Sequence, residues 1–387
     1  MNILIGADIV PTKNNIDLFA SGDAQGLLGD KLLNILHTAD YRIFNLEVPL
    51  TDREHPISKC GPNLIAPTRC VSGYKAMHVD LLTLANNHIL DQDQQGLEST
   101  CRVLDAAGIA YTGVGNTPEE AEKSYIFECD GKRIGVHACV EHEFSIVTNH
   151  SAGANPIDLL ETPDHVAALK AECDYVVVLY HGGKEHYRYP SPNLQKVCRK
   201  LIEKGANLVV CQHSHCVGCE EKYQGGTIVY GQGNFLFDGS KSEFWQTSLL
   251  IQLSDNYEIS YIPLKKNGNG VRLASNAEAD EILSAFYERS ASIQKTGFIQ
   301  NQYKQFADRN SQTYLIVLCG MRNKVFFRIV NKLTGYQFGR WLIKHWYKKK
   351  DLYTIQNYLR CEAHSELLDS TLLSCIERVI YNCSDTE

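Results

Sequence analysis

The chain has 387 residues, 44% of them hydrophobic, which excludes a disordered polypeptide and leaves room for about two or three domains. Its net charge of −7 conceals an asymmetry: residues 309–350 hold ten Lys or Arg and no Asp or Glu, so the remainder is distinctly acidic. Met1 runs directly into an apolar strand pattern with no basic leader or small-residue cleavage site, so the fourteen cysteines read as reduced, mostly buried small hydrophobes of a cytoplasmic chain. The longest apolar stretch, 314–319, falls far short of the roughly 20 residues a membrane span needs.

From residue 1 to about 265, β-rich runs alternate with helical patterns. A strand over 2–7 leads to Asp8. A helical pattern over 30–37 follows. A strand over 41–44 leads to Asn45 and Glu47, and one over 81–85 to Asn87 and His88. Helical spacing returns at 96–107 and 163–172. A strand over 175–180 ends at His181. The spacing of Leu194, Val197, Cys198, Leu201 and Ile202 predicts a helix over 191–204, with Ser191 as cap, Pro192 at its first turn and Gly205 beyond its end. A strand over 206–211 leads to His213 and His215. Further strands fall at 227–230, 248–253 and 259–263, the last two joined by the turn Ser254-Asp255-Asn256. Lys265-Lys266-Asn267-Gly268-Asn269-Gly270 reads as a loop or domain boundary. Beyond it the pattern is helical, at 279–294, 326–331, 340–347, 352–360 and 365–381. The expected organisation is therefore an α/β domain over 1–265 and a mostly helical, partly basic appendage over 266–387.

In an open α/β sheet, ligands gather at the carboxyl ends of the strands. Each ligand-type residue here has a bland reading: a turn aspartate, a solvated strand end, a capping asparagine. Five strand ends bearing Asp, Glu, Asn and His together argue for one convergent metal site. Asn45 and Glu47 share a face if extended, as do His213 and His215. Glu47 is the carboxylate placed to bridge two ions, and paired ions activate water for hydrolysis.

The segments Asn45-Leu46-Glu47-Val48-Pro49-Leu50-Thr51, Leu84-Ala85-Asn86-Asn87-His88-Ile89-Leu90-Asp91, His181-Gly182-Gly183-Lys184-Glu185, His213-Ser214-His215-Cys216-Val217 and Tyr230-Gly231-Gln232-Gly233-Asn234-Phe235 resemble the poly-γ-glutamate capsule-synthesis (CapA/PgsA) family. That family looks like an offshoot of the calcineurin-like metallophosphoesterases. The resemblance implies a four-layer αββα sandwich over 1–265, with a C-terminal helical region added. It implies a metal site of Asp8, Glu47, Asn87, His181, His213 and His215 holding one or two divalent ions. His88 would assist the leaving group beside Asn87, and Asn45, Lys184, Glu185, Arg188 and Asn234 would line the substrate pocket. Val10 departs from the pattern, standing where the superfamily has a metal-binding His. Oxygen and imidazole donors without a thiolate suit Mn, Fe or Zn.

Three functions follow as expectations. The first is a metal-dependent hydrolase of phosphoester or related bonds in capsule or surface-polymer biosynthesis. The second is a non-catalytic capsule-assembly protein binding an anionic polymer in the same pocket. The third, less favoured, is a nucleotide or nucleic-acid phosphoesterase. Cys216-Val217-Gly218-Cys219 has redox-motif spacing but no helix starting there, and Asp91-Gln92-Asp93 is only a fragment of a calcium loop. In 309–350, Trp341, Leu342, Ile343, Trp346 and Tyr347 interleave with basic residues. That pattern suits peripheral contact with an anionic membrane, an acidic polymer or nucleic acid, or simple packing on the acidic domain.

Overall fold

The structure, a computed structural model, describes residues 1–384. It divides into two compact units, 1–303 and the residues from Lys304 onward. In chain order the strands are β1 Asn2–Ile9, β2 Tyr41–Leu46, β3 Leu81–Thr83, β4 Ala110–Thr112, β5 Val114–Gly115, β6 Tyr125–Cys129, β7 Lys132–Val140, β8 Gly153–Ala154, β9 Tyr175–His181, β10 Leu208–Gln212, β11 Glu220–Tyr223, β12 Gly226–Tyr230, β13 Asn234–Leu236, β14 Thr247–Ser254, β15 Ile259–Asn267 and β16 Gly270–Leu273. The helices are α1 Ile16–Ser21, α2 Ala24–Thr38, α3 Val71–Ala76, α4 Asp93–Ala107, α5 Pro118–Ala121, α6 Thr162–Glu172, α7 Pro192–Glu203, α8 Asn276–Ile293, α9 Phe298–Leu318, α10 Val325–Leu333, α11 Gln337–Trp346, α12 Lys349–Arg360 and α13 Glu362–Ser384.

The strands form an eight-stranded sheet, ordered β16-β15-β14-β1-β2-β3-β4 with β13 beside β1, and a six-stranded sheet, ordered β11-β12-β10-β9-β7-β6. The period-two alternation of side chains sorts the apolar residues into three cores. Ile3, Ile5, Ile43, Leu249 and Ile251 of the first sheet face Val136, Val177, Leu179, Leu208 and Val210 of the second. Between them in sequence, Leu4, Phe44 and Leu82 point the other way, to Leu27, Leu28, Leu32, Leu36 and Leu104 of α2 and α4. Val176, Val178, Val209 and Ile228 turn outward onto Val166, Leu169, Cys198 and Leu201 of α6 and α7. The result is the four-layer αββα sandwich. β1–β4 run parallel in one sheet and β7, β9, β10 and β12 in the other. The ligand-type residues at 8, 45–47, 87–88, 181 and 213–215 all lie at or just beyond the carboxyl ends of these parallel strands.

Each expected helix is present, most with wider limits and α7 one residue shorter at either end; α1, α3, α5 and α9 go beyond the expectation. α7 starts as anticipated, the Ser191 hydroxyl accepting from Leu194 N–H at 3.0 Å. The expected boundary at 265 is not where the first compact unit stops. Lys265 and Lys266 belong to β15, which turns through Gly268 and pairs antiparallel with β16. The unit continues through α8, whose Ile282 and Phe286 pack into the inter-sheet core. The residues from Lys304 have a small core of their own, Ile316, Phe327 and Leu342. Among the described residues no helix is long and apolar enough to cross a membrane.

The Cys216–Cys219 segment is structural. Both thiols are buried, and burial pushes that of Cys216 up to about 11. Gly218 between them lies against the next strand, where an added Cβ would sit 1.6 Å from the Tyr230 carbonyl oxygen. That oxygen is main chain and cannot swing aside. Gly218→Ala should therefore cost about 2–3 kcal/mol by overpacking, read as an earlier midpoint in urea unfolding followed by circular dichroism.

Candidate metal centre

Asp8 lies at a register shift of β1 against both β2 and β13, an irregularity of the kind that re-aims a side chain. It is fully buried. Asn45, its register partner on β2, donates Nδ2–H to Asp8 Oδ1 at 2.8 Å. The Asn45 Oδ1 in turn accepts from Asn86 Nδ2 at 3.2 Å and from the Thr83 hydroxyl at 3.3 Å. Glu47, just past β2, is also fully buried.

His181 closes β9 and occupies the middle of the group. Its Nε2 lies 3.3 Å from Glu47 Oε1, 3.0 Å from Asn87 Oδ1 and 3.2 Å from His213 Nδ1. Its Nδ1 lies 3.2 Å from Asn45 Nδ2 and 3.8 Å from Asp8 Oδ1. His215 Nδ1 is 2.8 Å from Asn234 Oδ1 and 3.7 Å from Asp8 Oδ2. One imidazole N–H can serve only one of the acceptors around His181 Nε2. Both Glu47 oxygens and Asp8 Oδ2 are buried without a hydrogen-bond partner. Buried carboxylate oxygens without donors are costly, and a cation among them removes that cost. The donor set therefore fits a divalent metal. Glu47, His181 and His213 bring ligand atoms within 4.8 Å of one another, as do Asp8, Glu47 and His215, and Glu47 is common to both sets.

The protonation states agree with this. Burial and then the Glu47 charge push the Asp8 carboxyl up to about 6. Burial also works to raise Glu47, but the charges of His181 and His215 outweigh it and hold this carboxyl below the usual range. Burial works to lower His181, and the Glu47 charge and hydrogen bond overcome it, so this imidazole is raised. Burial, then His181 and His215, keep His213 well below the ordinary histidine value, leaving a neutral ring with a lone pair to give. His213 and His215 both adopt left-handed backbone, φ 72° and 53°. Such conformations are uncommon for bulky residues and concentrate at functional sites.

Residues 3–239, more than half of the chain, match the model of the bacterial capsule synthesis protein PGA_cap family. The chain belongs to this family. It is similar to the PGA biosynthesis protein CapA of Bacillus subtilis, 26% identical over 266 residues, or 68% of this chain and 67% of that protein. It is also similar to the capsule biosynthesis protein CapA of Bacillus anthracis, 28% identical over 217 residues, and here the match spans about half of each protein, 52%. Among solved structures it is similar to a hypothetical protein from Thermus thermophilus (14% identity, TM-score 0.45, 69% of this chain and 100% of that one). It is similar too to the NAD nucleotidase NadN of Haemophilus influenzae (13% identity, TM-score 0.41, 81% and 67%).

In this PGA_cap protein the side chains of Asp8, Glu47, Asn87, His181, His213 and His215 lie together, with His88 near enough to act on Glu47 and His213. The expected pocket residues divide. Asn45 is fully buried and orients Asp8, so it positions a ligand and has no surface for substrate. Asn234, nearly buried, does the same for His215 through its Oδ1. Lys184 and Glu185 are exposed, outside the convergence. Arg188 stacks on Phe244, donates to the Val217 carbonyl at 3.0 Å and pairs with Glu243 at 3.2 Å. Val10 is buried in the helix-side core and supplies no ligand.

Sequence reasoning missed Lys59. Its ammonium is nearly buried, pairs with Asp91 and lies 3.3 Å from His88 Nδ1. Asp91 Oδ2 sits 2.5 Å from the same His88 nitrogen and also accepts from Leu64 N–H at 2.6 Å. The i, i+3 spacing of His88 and Asp91 was the available signal; Lys59 had none. A wall of Trp245 and Phe237 was also missed, with ring centroids 4.8 Å and 5.7 Å from that of His215.

Protein purified without chelator and reloaded with manganese or zinc should carry between one and two ions per chain by elemental mass spectrometry, and Glu47→Ala should lose at least half of them. Because Asp8 must give up its proton to serve as a ligand, metal affinity should fall as pH drops through about 6. Isothermal titration on either side of that pH reads the change, and a flat profile would contradict the ligand assignment of Asp8.

Proposed function

We propose that this chain is a metal-dependent hydrolase of phosphoester or related bonds that serves capsule or surface-polymer biosynthesis of the poly-γ-glutamate type. The observation that carries the reading is Glu47, shared by two ligand sets, with the His88–Asp91 pair beside it. Held by Asp8, Glu47, Asn87, His181, His213 and His215, one or two divalent ions would supply Lewis acidity to activate water and polarise the scissile bond.

The chain's own residues supply the rest. Asp91 accepts from His88 Nδ1–H and so fixes the ring. When protonated, His88 then has its Nε2–H to offer to a departing oxygen. Lys59 shares the Asp91 carboxylate and offsets its charge. Asn45 and Asn234 hold the Asp8 and His215 side chains in place. Trp245 and Phe237 give the His215 side an apolar border that limits water.

Turnover of a panel of phosphomonoesters and diesters, with manganese or zinc supplied, tests the reading. His88→Ala should lower kcat by about 10²–10⁴-fold, the usual worth of a general acid, with little loss of bound metal. Glu47→Ala should lose metal and turnover together, while circular dichroism shows both variants folded. Turnover indifferent to both substitutions would sink the mechanism. A second reading, a capsule-assembly protein that binds an anionic polymer in this pocket without hydrolysing it, draws on Val10, which leaves the Asp8 side one ligand short of the superfamily pattern. Metal binding without turnover on any ester, together with metal-dependent retention of oligo-glutamate, would favour it.

A further inference from the structure

The metal centre makes no use of the basic stretch 309–350. In the unit from Lys304, α10 sorts its side chains into three stripes. Phe327 and Asn331 are buried, Phe327 against Ile316 and Leu342. Val325, Phe326, Ile329 and Leu333 are 68%, 74%, 55% and 81% exposed. At about 100° per residue these four fall within one arc of about 100° on the side away from the buried stripe. Arg328 and Lys332, spaced i, i+4, flank that arc on one side, within about 60° of it, and Lys324 precedes the helix as its N-cap residue. On α11, Trp341 and Trp346 are each 55% exposed. Among the described residues, none of the ten Lys and Arg of 309–350 forms an ion pair with a carboxylate. Arg322, Arg328 and Lys332 line a groove of ≈ 630 Å³ beside Val325, Phe327 and Ile329, with no acidic residue in its wall.

An exposed apolar stripe bordered by unpaired cations calls for a surface that offers an apolar phase and negative charge together. We propose that α10 and α11 dock this protein on an anionic lipid bilayer, with Val325, Phe326, Ile329 and Leu333 entering the boundary between headgroups and acyl chains and Arg322, Arg328 and Lys332 meeting lipid phosphates. A hydrated polyanion would satisfy the cations but leave four large side chains in water. A second copy of this chain would cover the apolar stripe but set one cluster of ten cations against another. Since no described helix can cross a membrane, the attachment lies along the surface.

The test is cosedimentation of the full chain with phosphatidylglycerol/phosphatidylcholine vesicles and with phosphatidylcholine vesicles, at low and high salt, alongside tryptophan emission. The expected result is binding to the anionic vesicles, weakened by salt, with a blue shift that Trp341→Phe reduces. Arg328→Gln with Lys332→Gln should weaken it about thirtyfold, at about a tenfold factor per 1.4 kcal/mol and roughly 1 kcal/mol per charge. Phe326→Ser with Leu333→Ser, both at exposed positions, should weaken it at least tenfold while circular dichroism is unchanged. Absence of binding by the folded chain would overturn the proposal, as would equal binding to both vesicle types. Binding unmoved by the serine pair would reduce it to adhesion to a polyanion, the more so if soluble polyglutamate displaced the vesicles. Vesicle-free self-association abolished by the same pair, seen in sedimentation velocity, would assign the stripe to a second copy instead.

Discussion

The site depends on a surplus of lone pairs. Two carboxylates, an asparagine oxygen and three imidazoles converge at the carboxyl edge of two sheets, and the hydrogens available cannot satisfy them. Most buried polar groups in folded proteins find partners. Here the framework around the exceptions is well satisfied: Asn45 serves Asp8, Asn86 serves Asn45 and the Leu46 carbonyl, and Gln232 serves the Ile5 carbonyl. Asn63 Oδ1, the Tyr74 hydroxyl and Asn234 Nδ2 also lack a partner among the described residues, but the ionisable part of the shortfall, Asp8 Oδ2 and both Glu47 oxygens, lies together at the candidate centre.

The sandwich makes that convergence affordable. Strands with apolar residues on both faces are held between helices and the opposite sheet, so Asp8, Glu47 and His181 are fixed by strands buried on either side. Side chains anchored this way keep their geometry better than side chains carried on loops. The left-handed turns at His213 and His215 are the exception, and they occur where β10 ends and backbone freedom returns.

Much of this was legible in the sequence because each ligand follows an apolar run whose period and length identify a strand, and because Ser191-Pro192 and Gly205 bracket α7. β7 was not legible. Gly135 interrupts its pattern because Leu169 of α6 packs where a Cβ would be, and His137 interrupts it while fully buried, its imidazole pushed down to about 4 by burial and then by His165. The Asp130-Gly131 turn before it, with both residues at positive φ, was the missed hairpin signal. The Asn-Gly-Asn-Gly stretch near 268 fits a loop or domain boundary as well as the hairpin it forms, because turn residues serve both. Lys59 was silent because its meaning comes from Asp91, 32 positions away in sequence.

Asp91 carries a further consequence. Besides holding His88, it accepts from Lys59 and from Leu64 N–H, and its carbonyl accepts from Ile57 N–H at 3.2 Å, while Gln92 next to it accepts from His55 N–H and donates to the Leu64 carbonyl. The irregular segment between Leu50 and Ala66 is thus tethered at the same point that orients the imidazole. The two are thermodynamically linked: whatever lifts the segment withdraws Lys59 and the Leu64 N–H from the carboxylate that holds His88, and displacement of His88 acts back on the segment with a coupling of the same size. Segment order and imidazole orientation therefore meet at one carboxylate, and a ligand that contacts only the segment has a route to the imidazole through Asp91.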